Sequence, residues 1–204
     1  MENLLHNFKK SNFKYLNIAE DDEMSVLYTK DDGISIIPPE NCSFYRDPDK
    51  KIMRANAPFM FTTIEGDFIL RAHVGHDFLY TGDAACLMIR VDDDNWAKLC
   101  FEKAETDSHS LISSVTINGF SDRALGESYS WNNVWLYFVR KGNTFAMYYS
   151  PDGVTKRIVR FFYLDAEPKI QIGMMAQSPH GKGDAIMNFY TFEVKNYSVD
   201  SIEE

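Results

Sequence analysis

The sequence predicts an all-β fold: a two-sheet antiparallel β-sandwich, with one domain spanning residues 1–204. Three observations lead there. Short apolar or alternating runs recur every ~8–15 residues between turn clusters, while stretches of sustained helical period are scarce. Aromatic residues make up 14% of the chain, which suits flat rings packed on pleated surfaces. The chain of 204 residues, 45% hydrophobic and 25% charged, can bury a core of ordinary size without covalent staples.

The elements follow in order. Ser25–Thr29 reads as a strand, turned by Lys30-Asp31-Asp32-Gly33 into Ile34–Ile37. Asp-Gly favours that turn because glycine accepts positive φ. Pro38-Pro39 cannot donate to a ladder and ends the run. Lys51–Ala55 and Phe68–Val74 come next. Ala84–Val91 and Trp96–Lys103 form a hairpin across Asp92-Asp93-Asp94-Asn95. Leu111–Asn118 follows, then Val134–Arg140, a Lys141-Gly142-Asn143 turn and Thr144–Tyr149. In Ser150-Pro151-Asp152-Gly153 the proline presets φ, the aspartate caps and the glycine closes the turn. Arg157–Tyr163, Lys169–Ala176 and Ala185–Tyr197 bring the set to about 12 strands, the pattern of a sandwich or barrel. Residues 1–13 and 198–204 read as peripheral.

Charge and cysteines bound the function. The net charge is −9, and no Lys/Arg-rich run is present, so nucleic acid and anionic membranes are poor partners. Cys42, Cys86 and Cys100 are odd in number and form no CxxC pair, which argues against a disulfide framework and a zinc site. The N-terminal residues lack the basic-then-apolar pattern of a signal peptide, and no apolar run nears the ~20 residues that span a bilayer. The expected compartment is the cytoplasm, with reduced thiols and no metal or cofactor.

Strand parity locates a candidate site. On Trp96–Lys103, Ala97, Leu99 and Phe101 share one face, and Trp96, Lys98, Cys100 and Glu102 share the other. If the apolar sets face the core, Arg90, Trp96, Lys98 and Glu102 lie together on the outer surface of one sheet, joined by Ser114, Thr116 and Asn118. An aromatic ring beside charged and hydrogen-bonding groups is what a sugar site uses, the ring stacking on the pyranose and the polar groups orienting its hydroxyls. The same residues also fit cross-strand partners on a solvated sheet. Ser121 and Asp122 would form a loop wall, and Gln177 and Ser178 would line the same end.

Catalytic signatures are missing. Gly119-Phe120-Ser121-Asp122-Arg123 contains a serine but no GxSxG elbow, and none of the five histidines sits in an HExxH context. Glycosidases of this fold class place two carboxylates about 5 Å apart on one strand face. Glu102 stands alone on its strand, since position 104 is alanine. Asp92-Asp93-Asp94-Asn95 lacks the spacing of an EF-hand loop and reads as a solvated turn. No GxGxxG or GxxxxGK[ST] occurs.

Several stretches in order carry a resemblance. They are Ala84–Asp92, Trp96-Ala97-Lys98 with Glu102, Gly119-Phe120-Ser121-Asp122, Trp135-Leu136 with Arg140 and Gly142, Tyr149–Gly153, and Ile172–Pro179. Over roughly residues 40–195 the chain resembles the uncharacterised domain family that includes the yeast regulation-of-enolase protein. The resemblance implies a concanavalin A-like jelly roll, a superfamily rich in lectins and glycan-active enzymes, and a regulatory link to sugar metabolism. One departure is Ser43-Phe44-Tyr45, where the family usually has an Asp-Phe-Trp-like stretch. If that tryptophan stacks on a ligand, stacking is weaker here.

Three functions compete. The first is a non-catalytic domain that binds carbohydrate or another small polar ligand through Arg90, Trp96, Lys98, Glu102, Ser121, Asp122, Gln177 and Ser178, with no catalytic residue. The second is a glycan-active enzyme pairing Glu102 with a second carboxylate such as Asp122. The third is a protein-interaction domain, including a homodimer formed through an edge or a face.

Overall fold

A computed structural model of the chain describes residues 1–18, 26–28, 33–105, 108–196 and 202. Its strands are β1 (Glu2–Asn3), β2 (Lys14–Leu16), β3 (Val26–Tyr28), β4 (Ile34–Ile36), β5 (Phe44–Arg46), β6 (Met53–Ala55), β7 (Phe59–Glu65), β8 (Phe68–His76) and β9 (Ala84–Arg90). They continue with β10 (Trp96–Lys103), β11 (His109–Ile117), β12 (Phe120–Tyr129), β13 (Asn133–Lys141), β14 (Thr144–Ser150), β15 (Arg157–Tyr163), β16 (Lys169–Gln177) and β17 (Met187–Asn196). A single turn of 3-10 helix covers Lys10–Asn12.

Two antiparallel sheets stack as the sequence predicts. One has eight strands, ordered β15-β14-β13-β8-β17-β4-β3, with β1 beside β17. The other has seven, ordered β12-β11-β10-β9-β16-β7-β2. Consecutive strands pair in the β9-β10-β11-β12 meander, but β9 also takes β16 and β8 takes both β13 and β17. These distant pairings set strands from both halves of the chain side by side in each sheet.

The inner faces follow the parity of the sequence. Leu87 and Ile89 of β9 and Ala97, Leu99 and Phe101 of β10 meet Leu70 and Val74 of β8 and Leu136 and Phe138 of β13, all fully buried. Each large apolar side chain so removed from water contributes about 1.5–3 kcal/mol, so this layer dominates the stability of the fold.

Sequence reasoning overlooks two long strands, for different reasons. β7 is covered on both faces along its first half, so its Phe-Met-Phe run lacks the alternation that marks a half-exposed strand. β12 is a sheet edge whose side chains are mostly exposed, so it carries little apolar signal. Gly119–Arg123, expected to be a loop, instead closes a two-residue turn and begins β12: Asn118 and Gly119 both take positive φ, 51° and 80°, as a type I′ hairpin requires. Ser25, Thr29, the Lys30–Asp32 part of the predicted turn and Tyr197 lie outside the described residues.

A second apolar layer sits on the outer face of the seven-stranded sheet. There Cys86, Met88, Trp96, Cys100, Phe59, Phe61 and Met175 are covered by Cys42, Phe44 and Ala57. The cover is the β5–β6 hairpin. It decides which part of that face stays open.

Candidate functional site

The hairpin covers only part of the outer face. Beside it the sheet opens into a pocket of about 240 Å³. Lys98 and Glu102 of β10, Ser114 of β11, Arg123 of β12 and Gln177 of β16 form its floor. Tyr45, Ile52 and Arg54 from the hairpin make one wall; Thr81, Gly82, Pro179 and His180 make the other. Ser43, Ile112 and Glu105 complete the lining.

Register explains why the floor residues meet. Glu102 is paired with Ala84, and Ala84 with Gln177, in one row across β10, β9 and β16. Ala84 offers only a methyl group, so the longer side chains on either side reach each other above it. Gln177 Nε2 donates to Glu102 Oε2 at 3.2 Å and to the Gly82 carbonyl at 3.0 Å. Gly82 sits at φ +85°, and a Cβ there would lie 2.4 Å from the Pro179 ring, so glycine is needed for this close approach. Lys98 Nζ donates to Gln177 Oε1 at 2.5 Å, and Arg123 Nη2 donates to Glu102 Oε1 at 2.8 Å. The result is a continuous chain, Arg123–Glu102–Gln177–Lys98, whose last three members are each only 4% exposed. Burial pushes the Glu102 carboxyl up, against the charges of Arg123 and Lys98, which favour its ionised form.

The structure separates the eight residues expected at the site. Lys98, Glu102 and Gln177 come together on the pocket floor. Trp96 does not line it. Expected as an open stacking ring, Trp96 is 0% exposed, with the Phe44 ring set edge-on at 5.5 Å and 83°. An apolar ring on a polar sheet face is buried when another segment supplies a lid, and the hairpin supplies one here. Arg90 lies outside the pocket, where it donates to Gln171 Oε1 at 2.8 Å and pairs with Asp93.

Ser121 and Ser178 also lie outside the lining, and both hold the hairpin down. Ser121 Oγ accepts the Arg46 backbone N–H at 3.0 Å and bonds Thr116 Oγ1 at 2.7 Å. Ser178 exchanges backbone hydrogen bonds with Cys42, at 3.1 and 3.2 Å, and its hydroxyl donates to Asp83 Oδ1 at 2.6 Å. Asp122 has the opposite parity: it is paired with the inward residue Val115, and its carboxylate takes Arg160 of β15 in the other sheet at 2.8 Å. Glu102 and Asp122 therefore do not share a face, and the carboxylate pair considered from the sequence is not assembled.

The acidic turn is internally occupied. Burial acts against ionisation of Asp92, but its bonds from the Asn95 side chain and the Asp94 N–H prevail and hold its carboxyl low. Asp93 pairs with Arg90 and Asp94 with Arg46.

Arg123 and Arg54 are pocket residues that sequence reasoning misses, whereas Tyr45, which stands where the family usually has a tryptophan, does line the pocket. The Asn118-Gly119 dipeptide was the available signal for Arg123: a two-residue turn there sets Arg123 opposite Ser114, beside Lys98. Nothing local marks Arg54, because it reaches the pocket through the hairpin.

Residues 20–197 match the family described as protein of unknown function (DUF1349). The chain belongs to this family. The DUF1349 chain is 26% identical over 152 residues to Regulation of enolase protein 1 of Saccharomyces cerevisiae, covering 74% of this chain and 75% of that protein. Among solved structures it is similar to a functionally unknown protein from Saccharomyces cerevisiae, with a TM-score of 0.82 at 22% identity over 94% of this chain and all of the other. It also matches the GH43 protein BlXynB from Bacillus licheniformis, with a TM-score of 0.69 at 14% identity over 93% of this chain and 40% of that one. The carbohydrate binding module CBM66 from Bacillus subtilis gives 0.56 at 15% identity over 90% of this chain and 95% of the other. At these identities the likeness is one of fold, an antiparallel β-sandwich consistent with the concanavalin A-like architecture. Among the described residues, no helix is long and apolar enough to cross a membrane.

Proposed function

We propose that this domain is a non-catalytic receptor for a small polyhydroxylated ligand, a carbohydrate residue, held in the pocket beside the β5–β6 hairpin. The observation that carries this reading is the hydrogen-bonded chain Arg123–Glu102–Gln177–Lys98 on the pocket floor, buried in all but its first member. It fixes donors and acceptors in place before a ligand arrives, which lowers the ordering cost of binding. Tyr45 and Ile52 on the wall supply apolar surface for the carbon face of a ring. The volume of about 240 Å³ lies just below the ~300–1,000 Å³ of drug-sized sites, so the occupant is one ring and not a long chain.

The likeness in fold to a carbohydrate binding module and to GH43 proteins supports the ligand class by analogy. The absence of catalysis is supported by Glu102, whose two carboxylate oxygens are already engaged by Arg123 and Gln177. The name of the yeast relative supports a regulatory role in sugar metabolism, exercised in the cytoplasm without nucleic acid or membrane partners.

The test is thermal unfolding of the full chain against neutral and acidic mono- and oligosaccharides. A ligand at 100 times its Kd stabilises the fold by about 2.7 kcal/mol. Thr81→Trp, a part-buried position on the wall, obstructs the pocket and is expected to remove the shift while the unliganded Tm holds. No shift with any sugar would end this reading.

A further inference from the structure

The pocket lining is charged unevenly. Arg54, Lys98 and Arg123 face Glu102 and Glu105, three cations against two carboxylates, so the lining is net positive in a chain of net charge −9. A positive concavity in an acidic protein is a local feature of this site, and it concentrates anions.

Lys98 makes the demand specific. Its side chain is almost wholly buried, yet its ammonium donates to one acceptor among the described residues, the neutral Gln177 amide. An ammonium has three N–H donors, and a buried charge is costly unless paired and hydrogen-bonded. The neighbouring carboxylate meets that need only in part: Glu102 accepts from Arg123 and Gln177 and acts on Lys98 through its charge, with no hydrogen bond between them among the described residues. Arg123 is also only partly used: a single Nη2 bond goes to Glu102, and its side chain is 40% exposed.

Register then brings the two cations onto one row. Lys98 is paired with Ser114, and Ser114 with Arg123. Strands lie about 4.8 Å apart, so the two side chains leave backbones about 10 Å apart on either side of a small residue, and their head groups reach along the strands to Gln177 and Glu102. The Ser114 hydroxyl is turned to the Asp122 carbonyl at 3.1 Å, which leaves the space above it bounded by Lys98 on one side and Arg123 on the other. A neutral sugar would leave the surplus positive charge uncompensated. An oxyanion would accept from both sides, and the guanidinium fork suits carboxylate and phosphate alike.

We infer that the ligand of this pocket is an acidic sugar, a ring bearing a carboxylate or phosphate, with its oxyanion seated over Ser114 between Lys98 and Arg123. The inference rests on the carbohydrate-binding reading above and narrows it.

Isothermal titration of the full chain tests it, using glucose against glucuronate, galactose against galacturonate, glucose 6-phosphate, and inorganic phosphate alone. At least one acidic sugar is expected to bind about tenfold more tightly than its neutral counterpart, the scale of one charge-assisted hydrogen bond. The uronate and phosphate arms identify which oxyanion is taken. Lys98→Met, with its fold checked by circular dichroism, is expected to bring that ratio close to one. Neutral and acidic sugars binding equally to the wild-type chain would overturn the inference and leave the binding reading standing, and this comparison needs no variant. Inorganic phosphate binding as tightly as every sugar acid would overturn it too. Silence from every sugar would take down both.

Discussion

Trp96 and Lys98 sit two residues apart on the same face of β10 and meet opposite surroundings. Trp96 lies in a closed apolar layer with Phe44, Phe59, Cys86 and Cys100, while Lys98 lies on the floor of an open pocket. Burial, not stacking on a ligand, is the task of this tryptophan. Trp96→Ala is therefore expected to act on stability: removing a large buried ring costs about 3–5 kcal/mol, seen as a lower midpoint in urea unfolding. A midpoint equal to that of the wild type would show that the hairpin does not pack on the ring. The thiols share this layer. Burial pushes the Cys42 thiol up to about 11, against the lowering effect of its backbone hydrogen bonds, and all three cysteines are buried and free.

At the scale of elements, the β5–β6 hairpin is the part that shapes the site, and ties outside the hairpin keep it there. Cys42 bridges to Ser178, Arg46 bonds Ser121 and Asp94, and Arg54 Nη1 donates to the Pro179 carbonyl at 3.3 Å. One of these anchor regions is the Asn118-Gly119 turn that launches β12. A Cβ on Gly119 would meet Arg46 Nη1 at 3.3 Å and Asp94 Oδ1 at 3.4 Å, at a φ of +80°. Gly119→Ala is expected to cost about 1–2 kcal/mol through the left-handed backbone alone, measured by chemical denaturation. Unchanged stability would mean that the turn relaxes to another type. The turn is legible in the sequence as Asn-Gly. The strand after it is not, because an edge strand with polar, exposed side chains carries no alternating apolar pattern.

At the scale of the whole molecule, acid is the condition that tests the core. His76, at the end of β8, is held neutral: burial, with the charges of His109 and Lys103, pushes it from 6.5 down to about 3. Its Nδ1 accepts the Phe78 N–H at 3.0 Å, while Nε2 has no partner among the described residues. The unfolded chain therefore binds a proton at this residue below pH 6.5 that the folded chain refuses until about pH 3. Stability from this group falls as pH drops through that window, by up to about 1.4 kcal/mol per pH unit. Asp83 and Glu102, whose carboxyls burial pushes up, act with the opposite sign, since the folded chain protonates them first. Denaturation midpoints between pH 7 and pH 3 are expected to fall less steeply for His76→Gln than for the wild type. Parallel curves would show that this histidine is not the acid-sensitive group.

Strand parity is a local property, written residue by residue with a period of two. The sequence alone therefore determined the sandwich, the β9–β10 and β13–β14 hairpins, and the inward set of Ala97, Leu99 and Phe101. It also placed Trp96, Lys98 and Glu102 on the opposite face. What covers that face is not local. The cover comes from residues 42–57, about forty positions upstream of β10, and no spacing within β10 records its arrival. Gln177 reaches Glu102 only because β9 lies between β10 and β16 with an alanine in the middle of the row. Arg123 reaches the pocket only because a turn brings β12 back beside β11. Parity named the face, and long-range pairing decided which of its residues were sealed under the hairpin and which were left open to a ligand.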